Sequence, residues 1–162
     1  PPEALANWQG LVQEYGDLLP ENFRKFLDRA RPVEFKPVER FNTFTDTVSS
    51  PFRHVWIKAK GIIPDKIRLQ NQVLAYTSDY NLLTTALLPH GQIANWQELT
   101  IASLDHAMWF HRPFDMNEWL LYQTDSPSAS GARGFSRGNI FTRDGKLVAS
   151  VVQEGLIRPK RK

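Results

Sequence analysis

The segment from Asp65 to Gly91 constrains the fold more than any other part of the chain. Pro64 and Asp65 form a helix start, and Pro89 marks its end. Between them apolar residues recur at alternating steps of four and three, as on one face of an amphipathic helix: Leu69, Val73, Tyr76, Tyr80, Leu83 and Leu87. The second half of this segment carries apolar residues on more than one side of the predicted helix. The sequence therefore predicts one long helix, from Asp65 to about Leu88, that the rest of the chain surrounds.

An acidic residue, Asp79, lies in the apolar half of this predicted helix. A helical wheel places it on a face shared with Gln72, Ala75, Leu82 and Ala86. We therefore expect a buried carboxylate, and two explanations remain open. Either the side chains of residues 77–79 bond the backbone at a kink in the helix, or Asp79 is a general base that orients a water molecule.

Strand-like runs lie on both sides of the predicted helix and begin after Arg31. They are Val33 to Val38, His54 to Lys60, Leu99 to His111, Glu118 to Ser126, Ala132 to Phe141 and Lys146 to Ile157. Asp144 and Gly145 predict a hairpin turn between the last two. An antiparallel sheet curled around one apolar helix is the hotdog architecture. We therefore expect an α+β protein whose hotdog domain occupies residues 31–162.

Residues 1–30 form a polar, helix-forming leader before the first strand. Its apolar side chains share one face in the first half, at Trp8, Leu11, Val12 and Tyr15. A leader of this kind is typical of a connector that leaves a preceding domain, and we expect its apolar face to pack on a neighbour. The first residue is Pro1, which suggests processing or a longer parent protein.

Composition excludes several classes of function. The 162 residues fit a single domain, and their 41% hydrophobic content is ordinary for a soluble protein. No apolar run approaches the roughly 20 residues of a membrane span. The absence of cysteine excludes disulfides, thiolate nucleophiles and cysteine-based metal sites. Part of the +3 net charge lies in residues 158–162, and no nucleic-acid-binding motif is present, so nucleic acid is not an expected partner.

Two strand residues interrupt otherwise apolar faces of the predicted sheet. Gln153 is the polar exception on one face of the last strand, and Ser103 is a small hydroxyl residue on one face of Leu99 to His111. Polar side chains that face inward need hydrogen-bond partners. A carboxylate at Asp79, a hydroxyl and a carboxamide that converge can hold one water molecule. For each residue alone, an ordinary role as a hydrogen-bonded core residue stays open.

Other candidate chemistry is weaker. His106 follows Asp105 in a strand, but consecutive residues point to opposite faces, so we interpret His106 as structural. The chain has no G-x-S-x-G and no H-E-x-x-H motif, so neither a serine nucleophile nor a metal is predicted, and no cofactor is expected. The glycine-rich run at residues 126–138 predicts a bend between strands. Its Arg133 and Arg137 are candidates for contact with an anionic substrate.

Four stretches closely resemble the C-terminal half of the acyl-CoA thioesterase II (TesB-like) family. They are LAYTSDYNLL at residues 74–83, SLDHAMWFHRPF at 103–114, EWLLYQTDSPSASGARGFSRG at 118–138 and DGKLVASVVQEGLIR at 144–158. The resemblance implies hydrolysis of fatty acyl-CoA to free acid and coenzyme A. The family uses an aspartate on its second hotdog helix, a threonine or serine in the next strand and a glutamine in the last strand. These positions match Asp79, Ser103 and Gln153.

The sequence departs from the family in one respect, because the family fuses two hotdog repeats and this chain carries one. The resemblance therefore implies an N-terminal hotdog half as a partner, in the same or a separate chain, and a homo-oligomer. A hotdog hydratase or dehydratase acting on an enoyl thioester stays open, as does a non-catalytic acyl-CoA-binding half. Cytoplasm is the expected location, or the peroxisome if the source is a eukaryote.

Overall fold

The computed structural model of this protein describes residues 1–19, 21–39, 48–91 and 98–160. Its α-helices are α1 (Trp8–Tyr15), α2 (Glu21–Asp28) and α3 (Ile67–Ser78). Short 3₁₀ helices cover Pro2–Ala4 and Gly16–Leu18, and a longer one covers Leu83–His90. The strands are β1 (Val33–Pro37), β2 (Phe52–Ala59), β3 (Leu99–Ser103), β4 (Ala107–Phe110), β5 (Leu120–Ser130), β6 (Arg133–Thr142) and β7 (Leu147–Pro159).

The seven strands form one antiparallel sheet in the order β1-β2-β5-β6-β7-β3, and β4 also pairs with β7. The last two strands form the predicted hairpin. Gly145 has a φ of +85°, and the Thr142 amide donates to the Lys146 carbonyl oxygen at 2.9 Å. Because a positive φ favours glycine, the Asp-Gly pair sets this turn, and the prediction is confirmed.

The predicted strand from Leu99 to His111 is two strands, so that prediction was wrong in detail. β3 and β4 both pair with β7, and residues 104–106 between them leave the ladder. The amides of Leu104 and Asp105 both donate to the Glu154 carbonyl oxygen, at 3.0 and 3.4 Å. The Asp105 carboxylate in turn accepts from the Glu154 amide at 2.7 Å. Because the Asp105 carboxylate binds the Glu154 amide, that amide does not pair with the backbone of β3, and the strand ends at Ser103.

The predicted helix from Asp65 to Leu88 is also divided. The α-helix ends at Ser78, and a 3₁₀ helix begins at Leu83. The hydroxyls of Thr77 and Ser78 donate to helix carbonyl oxygens three and four residues earlier, at 2.8 Å or less. Asn81 then adopts a left-handed conformation with a φ of 66°, which an α-helix cannot contain. The two helices therefore meet at a bend, residues 79–82.

The 3₁₀ helix lies directly on the inner face of the sheet. A Cβ added to Gly155 of β7 would come within 2.2 Å of the Leu83 side chain, and one added to Gly134 of β6 would come within 2.8 Å of Ala86. The two glycines therefore allow the helix to approach the strands closely. With α3 and its buried Leu74 completing the core, the sheet surrounds the helical segment, as the hotdog prediction requires.

The helices of residues 1–30 pack on the same core. The Trp8 ring stacks on the Phe35 ring of β1 with centroids 4.3 Å apart. The Arg31 guanidinium lies over the Trp8 ring and donates to the Leu27 carbonyl oxygen at 3.2 Å. Stacking and cation–π contacts thus join α1 and α2 to the first strand.

Candidate active site

One buried side chain brings the predicted site residues together. Gln153 of β7 is 1% exposed, and its Nε2 donates to Asp79 Oδ1 at 2.7 Å and to Ser103 Oγ at 3.0 Å. Both amide hydrogens of Gln153 are therefore used, one on a carboxylate and one on a hydroxyl. A carboxylate and a hydroxyl held side by side by one donor offer two adjacent groups that can bind a single water molecule.

The ends of two elements place Asp79 and Ser103 beside this glutamine. Asp79 follows the last residue of α3, and Ser103 is the last residue of β3. Ser103 pairs with Gly155 in the β3–β7 register, and Gly155 lies two positions after Gln153 on the same face of β7. The helix end therefore meets the strand end beside β7, near the β3 edge of the sheet.

The prediction that Asp79 is buried was wrong. Asp79 and Ser103 are both exposed, and only Gln153 is buried. The reason is local: Asp79 still has a helical backbone conformation, but the face of α3 that it shares with Gln72 is exposed, and burial begins only after the bend, at Leu82 and Ala86. The kink that the sequence suggested involves the Thr77 and Ser78 hydroxyls, whereas Asp79 Oδ1 accepts from the sheet. An exposed carboxylate is open to a substrate from outside.

Tyr122 of β5 supports the helix end from below, and sequence reasoning missed it. Its hydroxyl is buried and donates to the Ser78 carbonyl oxygen at 2.6 Å. Burial raises the pKa of Tyr122 well above its ordinary value, and the nearby negative charge of Asp79 raises it further. Tyr122 therefore stays neutral and remains a donor. The available signal was alternation along β5, which places Tyr122 on the buried face with Leu120 and Thr124.

His106 lies closer to the site than a purely structural interpretation suggested. Its Nε2 is 3.1 Å from Ser78 Oγ. Because the Ser78 hydroxyl donates to the Ala75 carbonyl oxygen, Ser78 Oγ accepts here and His106 Nε2 carries the hydrogen. As the sequence predicted, His106 does not pair with Asp105, whose carboxylate accepts from the β7 backbone. The histidine thus contacts the residue before Asp79.

A guanidinium holds the bend that follows Asp79. Arg53 of β2 donates through Nη1 to the Asn81 carbonyl and side-chain oxygens, both at 3.3 Å, and to Thr84 Oγ1 at 3.0 Å. Desolvation lowers the pKa of Arg53 to about 10, so the side chain is still charged at neutral pH. These bonds stabilise the left-handed Asn81 and so fix the direction in which the chain leaves Asp79.

The structure does not bring Arg133 and Arg137 to these three residues. Both lie on the outer face of β6, because the alternate residues Gly134, Ser136 and Gly138 are buried on the inner face. Arg137 forms a two-nitrogen ion pair with Asp125. The Arg133 guanidinium lies 3.8 Å from the Glu154 carboxylate, so this contact is weaker than the ion pair of Arg137.

The part of the chain that the structure describes contains neither a metal-binding cluster nor a helix that could span a membrane. No group of three or more histidine, aspartate or glutamate side chains there is placed to hold a metal ion. Among the same residues, no helix is both long enough and apolar enough to cross a membrane.

The chain is similar to known acyl-CoA thioesterases. The acyl-CoA thioesterase family matches residues 22–156. Acyl-CoA thioesterase 2 of Haemophilus influenzae is 38% identical over 157 residues, which are 97% of this chain and 55% of that protein. Acyl-coenzyme A thioesterase 8 of Homo sapiens is 37% identical over 169 residues, covering 99% of this chain and 52% of that protein. The chain thus spans about half the length of these relatives.

Solved structures give the same picture. The chain is similar to the acyl-CoA thioesterase II TesB2 from Mycobacterium marinum, with a TM-score of 0.73 and 36% identity, over 99% of this chain and 54% of that one. A hotdog protein from Alicyclobacillus acidocaldarius, at 12% identity, has a TM-score of 0.61. That second likeness concerns the fold alone, and it agrees with the hotdog architecture described above.

Proposed function

Because this chain belongs to the acyl-CoA thioesterase family, we propose that it carries the catalytic residues of an enzyme that hydrolyses fatty acyl-CoA to free fatty acid and CoA. Asp79 is the general base, and Ser103 and Gln153 hold the attacking water. The observation that carries this proposal is the position of Gln153 Nε2, 2.7 Å from the carboxylate and 3.0 Å from the hydroxyl.

The reaction needs no covalent intermediate with the enzyme. Water attacks the thioester carbonyl carbon while Asp79 takes one of its protons, and the carbonyl electron pair moves onto oxygen. A backbone N–H near the end of α3 stabilises this oxyanion. The carbon–sulfur bond then breaks, and CoA leaves as a thiolate that regains the proton. The water is activated only if it is held in line with the carbonyl, which is the role of Ser103 and Gln153.

The two ends of the substrate call for different surroundings. The acyl chain needs an apolar channel, and the phosphates of CoA need cations at its rim. We assign Arg133 and Arg137 to that rim. Of the two, Arg133 is the better candidate, because Arg137 is already paired with Asp125 on two nitrogens.

A second hotdog unit completes the enzyme in this proposal. β4 pairs only with β7 among the described strands, and its Trp109 and Phe110 are 53% and 42% exposed. An edge strand that carries exposed aromatic side chains favours association. The relatives' double length supports a paired hotdog, with residues 1–30 as the connector and residues 31–162 as the catalytic half. A homo-oligomer of such units and a cytoplasmic location, or a peroxisomal one in a eukaryote, complete the proposal.

The competing activities have less support. A hotdog hydratase or dehydratase pairs a histidine with its acid, whereas the partner of Asp79 is Gln153 and His106 binds Ser78. A non-catalytic binding half leaves the carboxylate, hydroxyl and carboxamide cluster unexplained.

Thiol release separates the three activities. The protein in its native assembly is incubated with palmitoyl-CoA, and free CoA is followed with a thiol-reactive dye. A parallel reaction follows loss of the enoyl absorbance of crotonyl-CoA. We expect thiol release without hydration. Hydration without thiol release would show that the protein is a hydratase and not a thioesterase. Binding of palmitoyl-CoA with neither reaction would show that it is a binding module.

A further inference from the structure

Two buried polar atoms beside the proposed site have no hydrogen-bond partner. They are Oε1 of Gln153, the oxygen of the same carboxamide whose nitrogen binds Asp79 and Ser103, and the hydroxyl oxygen of Ser136 on β6. Ser136 is 0% exposed and Gln153 is 1% exposed. Because buried polar groups are nearly always hydrogen-bonded, the two atoms need an explanation, and sequence reasoning did not single out Ser136.

The two residues face each other across the sheet. Ser136 and Gln153 are register partners in the β6–β7 pair, so their side chains lie on the same face. Directly opposite residues in antiparallel strands have Cβ atoms about 4.5–5.5 Å apart. The two atoms are not hydrogen-bonded to each other, but across this spacing one water molecule can bridge the Ser136 hydroxyl and Gln153 Oε1. One atom is a donor and the other is an acceptor with two free lone pairs, so each supplies what the other lacks.

We propose that Ser136 is a positioning residue, whose hydroxyl donates to Gln153 Oε1 through one bridging water molecule and so holds the carboxamide with its nitrogen toward Asp79 and Ser103. This inference rests on the proposed function, because the orientation matters for the water that these two groups bind. The oxygen and nitrogen of a carboxamide have nearly the same shape, so packing alone does not choose between them.

The need for a second anchor arises during the reaction. While Asp79 is ionised, its charge repels Oε1 and keeps Nε2 in place. Once Asp79 has taken a proton from water it becomes a donor, and the flipped carboxamide, with Oε1 toward Asp79, is no longer disfavoured there. A hydroxyl that donates to Oε1 through the bridging water opposes the flip at that moment. Ser103 then keeps its donor through the whole cycle.

Close packing explains the glycines on either side of Ser136, but it does not explain a hydroxyl at residue 136. Gly134 and Gly138 flank it on the inner face, and a Cβ at either would crowd Ala86 or the Tyr122 ring. Alanine satisfies the same steric demand as serine. The hydroxyl therefore calls for a polar role, and the partner that the sheet places opposite is Gln153.

The test compares Ser136→Ala with Ser136→Thr, which keeps a hydroxyl, and with Ser126→Ala as a matched control. Ser126 is also a buried serine of the sheet, but its hydroxyl donates to the Phe135 carbonyl oxygen at 2.8 Å. With palmitoyl-CoA and the native assembly, Ser136→Ala should lower kcat about fivefold or more, the size expected for one lost hydrogen bond, while KM stays within twofold. Ser136→Thr should recover most of kcat, and Ser126→Ala should leave kcat unchanged.

A second measurement does not depend on activity. The Gln153 side-chain NH₂ signals, identified by their loss in Gln153→Met, are followed by ¹⁵N NMR in wild type and Ser136→Ala. Loss of a donor to Oε1 should shift these signals and speed rotation of the amide group, and Ser136→Thr should reverse both. Unchanged signals in Ser136→Ala, or unchanged kcat in an active enzyme, overturn the role of Ser136. Absence of thiol release in wild type overturns the proposed function instead, and the NMR result then decides the Ser136 contact by itself.

Discussion

Two glutamines of this protein are equally buried and are used in opposite ways. Gln70 of α3 is 2% exposed and Gln153 of β7 is 1% exposed. Gln70 Oε1 accepts from the Met116 amide at 2.8 Å, and its Nε2 donates to Pro64 O and Asp115 Oδ1, both at 3.3 Å. Every polar atom of Gln70 therefore has a partner, and the bonds to Asp115 and Met116 tie the start of α3 to the loop before β5.

Gln153 differs in the partners of its amide, not in burial. Its nitrogen binds an exposed carboxylate and an exposed hydroxyl, and its oxygen has no partner. A carboxamide that only stabilises the fold is satisfied by groups that are themselves fixed, as Gln70 is. A carboxamide whose oxygen has no protein partner and whose nitrogen binds two exposed groups is less constrained by the fold, as is common at functional sites. The partners of the two carboxamides, and not their burial, are therefore the basis on which we propose a structural role for Gln70 and a functional one for Gln153.

The largest effect should come from Asp79→Asn, which keeps the shape of the side chain and removes the base. Turnover of palmitoyl-CoA should fall by about 10² to 10⁴, because proton transfer from the water is lost. The free energy of unfolding should change by no more than about 0.5 kcal/mol, since Asp79 is exposed and asparagine can still accept from Gln153. Steady-state kinetics and urea unfolding measure both quantities.

Glu154→Gln provides the matched control, because it neutralises an acid next to Gln153. Only the backbone of Glu154 bonds the β3–β4 connection, so the substitution leaves those bonds in place. It should leave turnover within about twofold of wild type. Near-normal turnover in Asp79→Asn combined with a lower melting temperature would show that Asp79 stabilises the fold and is not the general base.

A smaller loss of activity is expected for Gln153→Met, which keeps the volume and removes both polar atoms. Turnover should fall about 10- to 100-fold, because the water is no longer aligned. The free energy of unfolding should stay within about 1 kcal/mol of wild type, since the two groups that bind the Gln153 nitrogen, Asp79 and Ser103, are exposed and can bind water instead. Stability and kinetics are measured as for Asp79→Asn. A loss of several kcal/mol would show that Gln153 acts as Gln70 does.

The same substitution at the other glutamine should give the reverse result. Gln70→Met leaves the Met116 amide buried without an acceptor, so unfolding should become easier by about 1–3 kcal/mol. Turnover per folded molecule should stay within twofold, because Gln70 contacts none of the proposed site residues. Chemical denaturation followed by tryptophan fluorescence gives the stability change. A drop in kcat as large as that of Gln153→Met would remove the distinction between the two glutamines.

The smallest effect concerns the two arginines on the outer face of β6. Arg133→Gln should raise KM for acyl-CoA about threefold, whereas Arg137→Gln should change it less, because Asp125 already occupies that guanidinium. The comparison substrate is the same acyl group on pantetheine, which lacks the nucleotide phosphates and should show no change in KM. Equal KM values of the two variants for acyl-CoA would show that the CoA phosphates do not bind at Arg133.

Much of the site was predictable because its residues break patterns that the fold imposes. Asp79 is an acid in the apolar half of the helical segment, and Gln153 interrupts an apolar strand face, so both are visible in the sequence pattern. Ser103 was also expected to converge with them, and its Oγ accepts from Gln153, although a single small hydroxyl is a weak signal. Ser136 and Tyr122 could not be found in this way, because a serine between glycines and an aromatic residue on a buried strand face both fit ordinary packing.

The amino-acid sequence by itself determined the order of the elements, the apolar helical segment and the Asp-Gly hairpin, since these depend on periodicity and on the conformations that single residues allow. Only the tertiary structure decided where the α-helix stops and β3 ends. Those ends depend on the Arg53 guanidinium and the Asp105 carboxylate, which bind backbone groups of distant elements, together with hydroxyl bonds within α3. The contact of the Asp79 carboxylate with Gln153 likewise joins residues far apart in the sequence, so no local pattern records it.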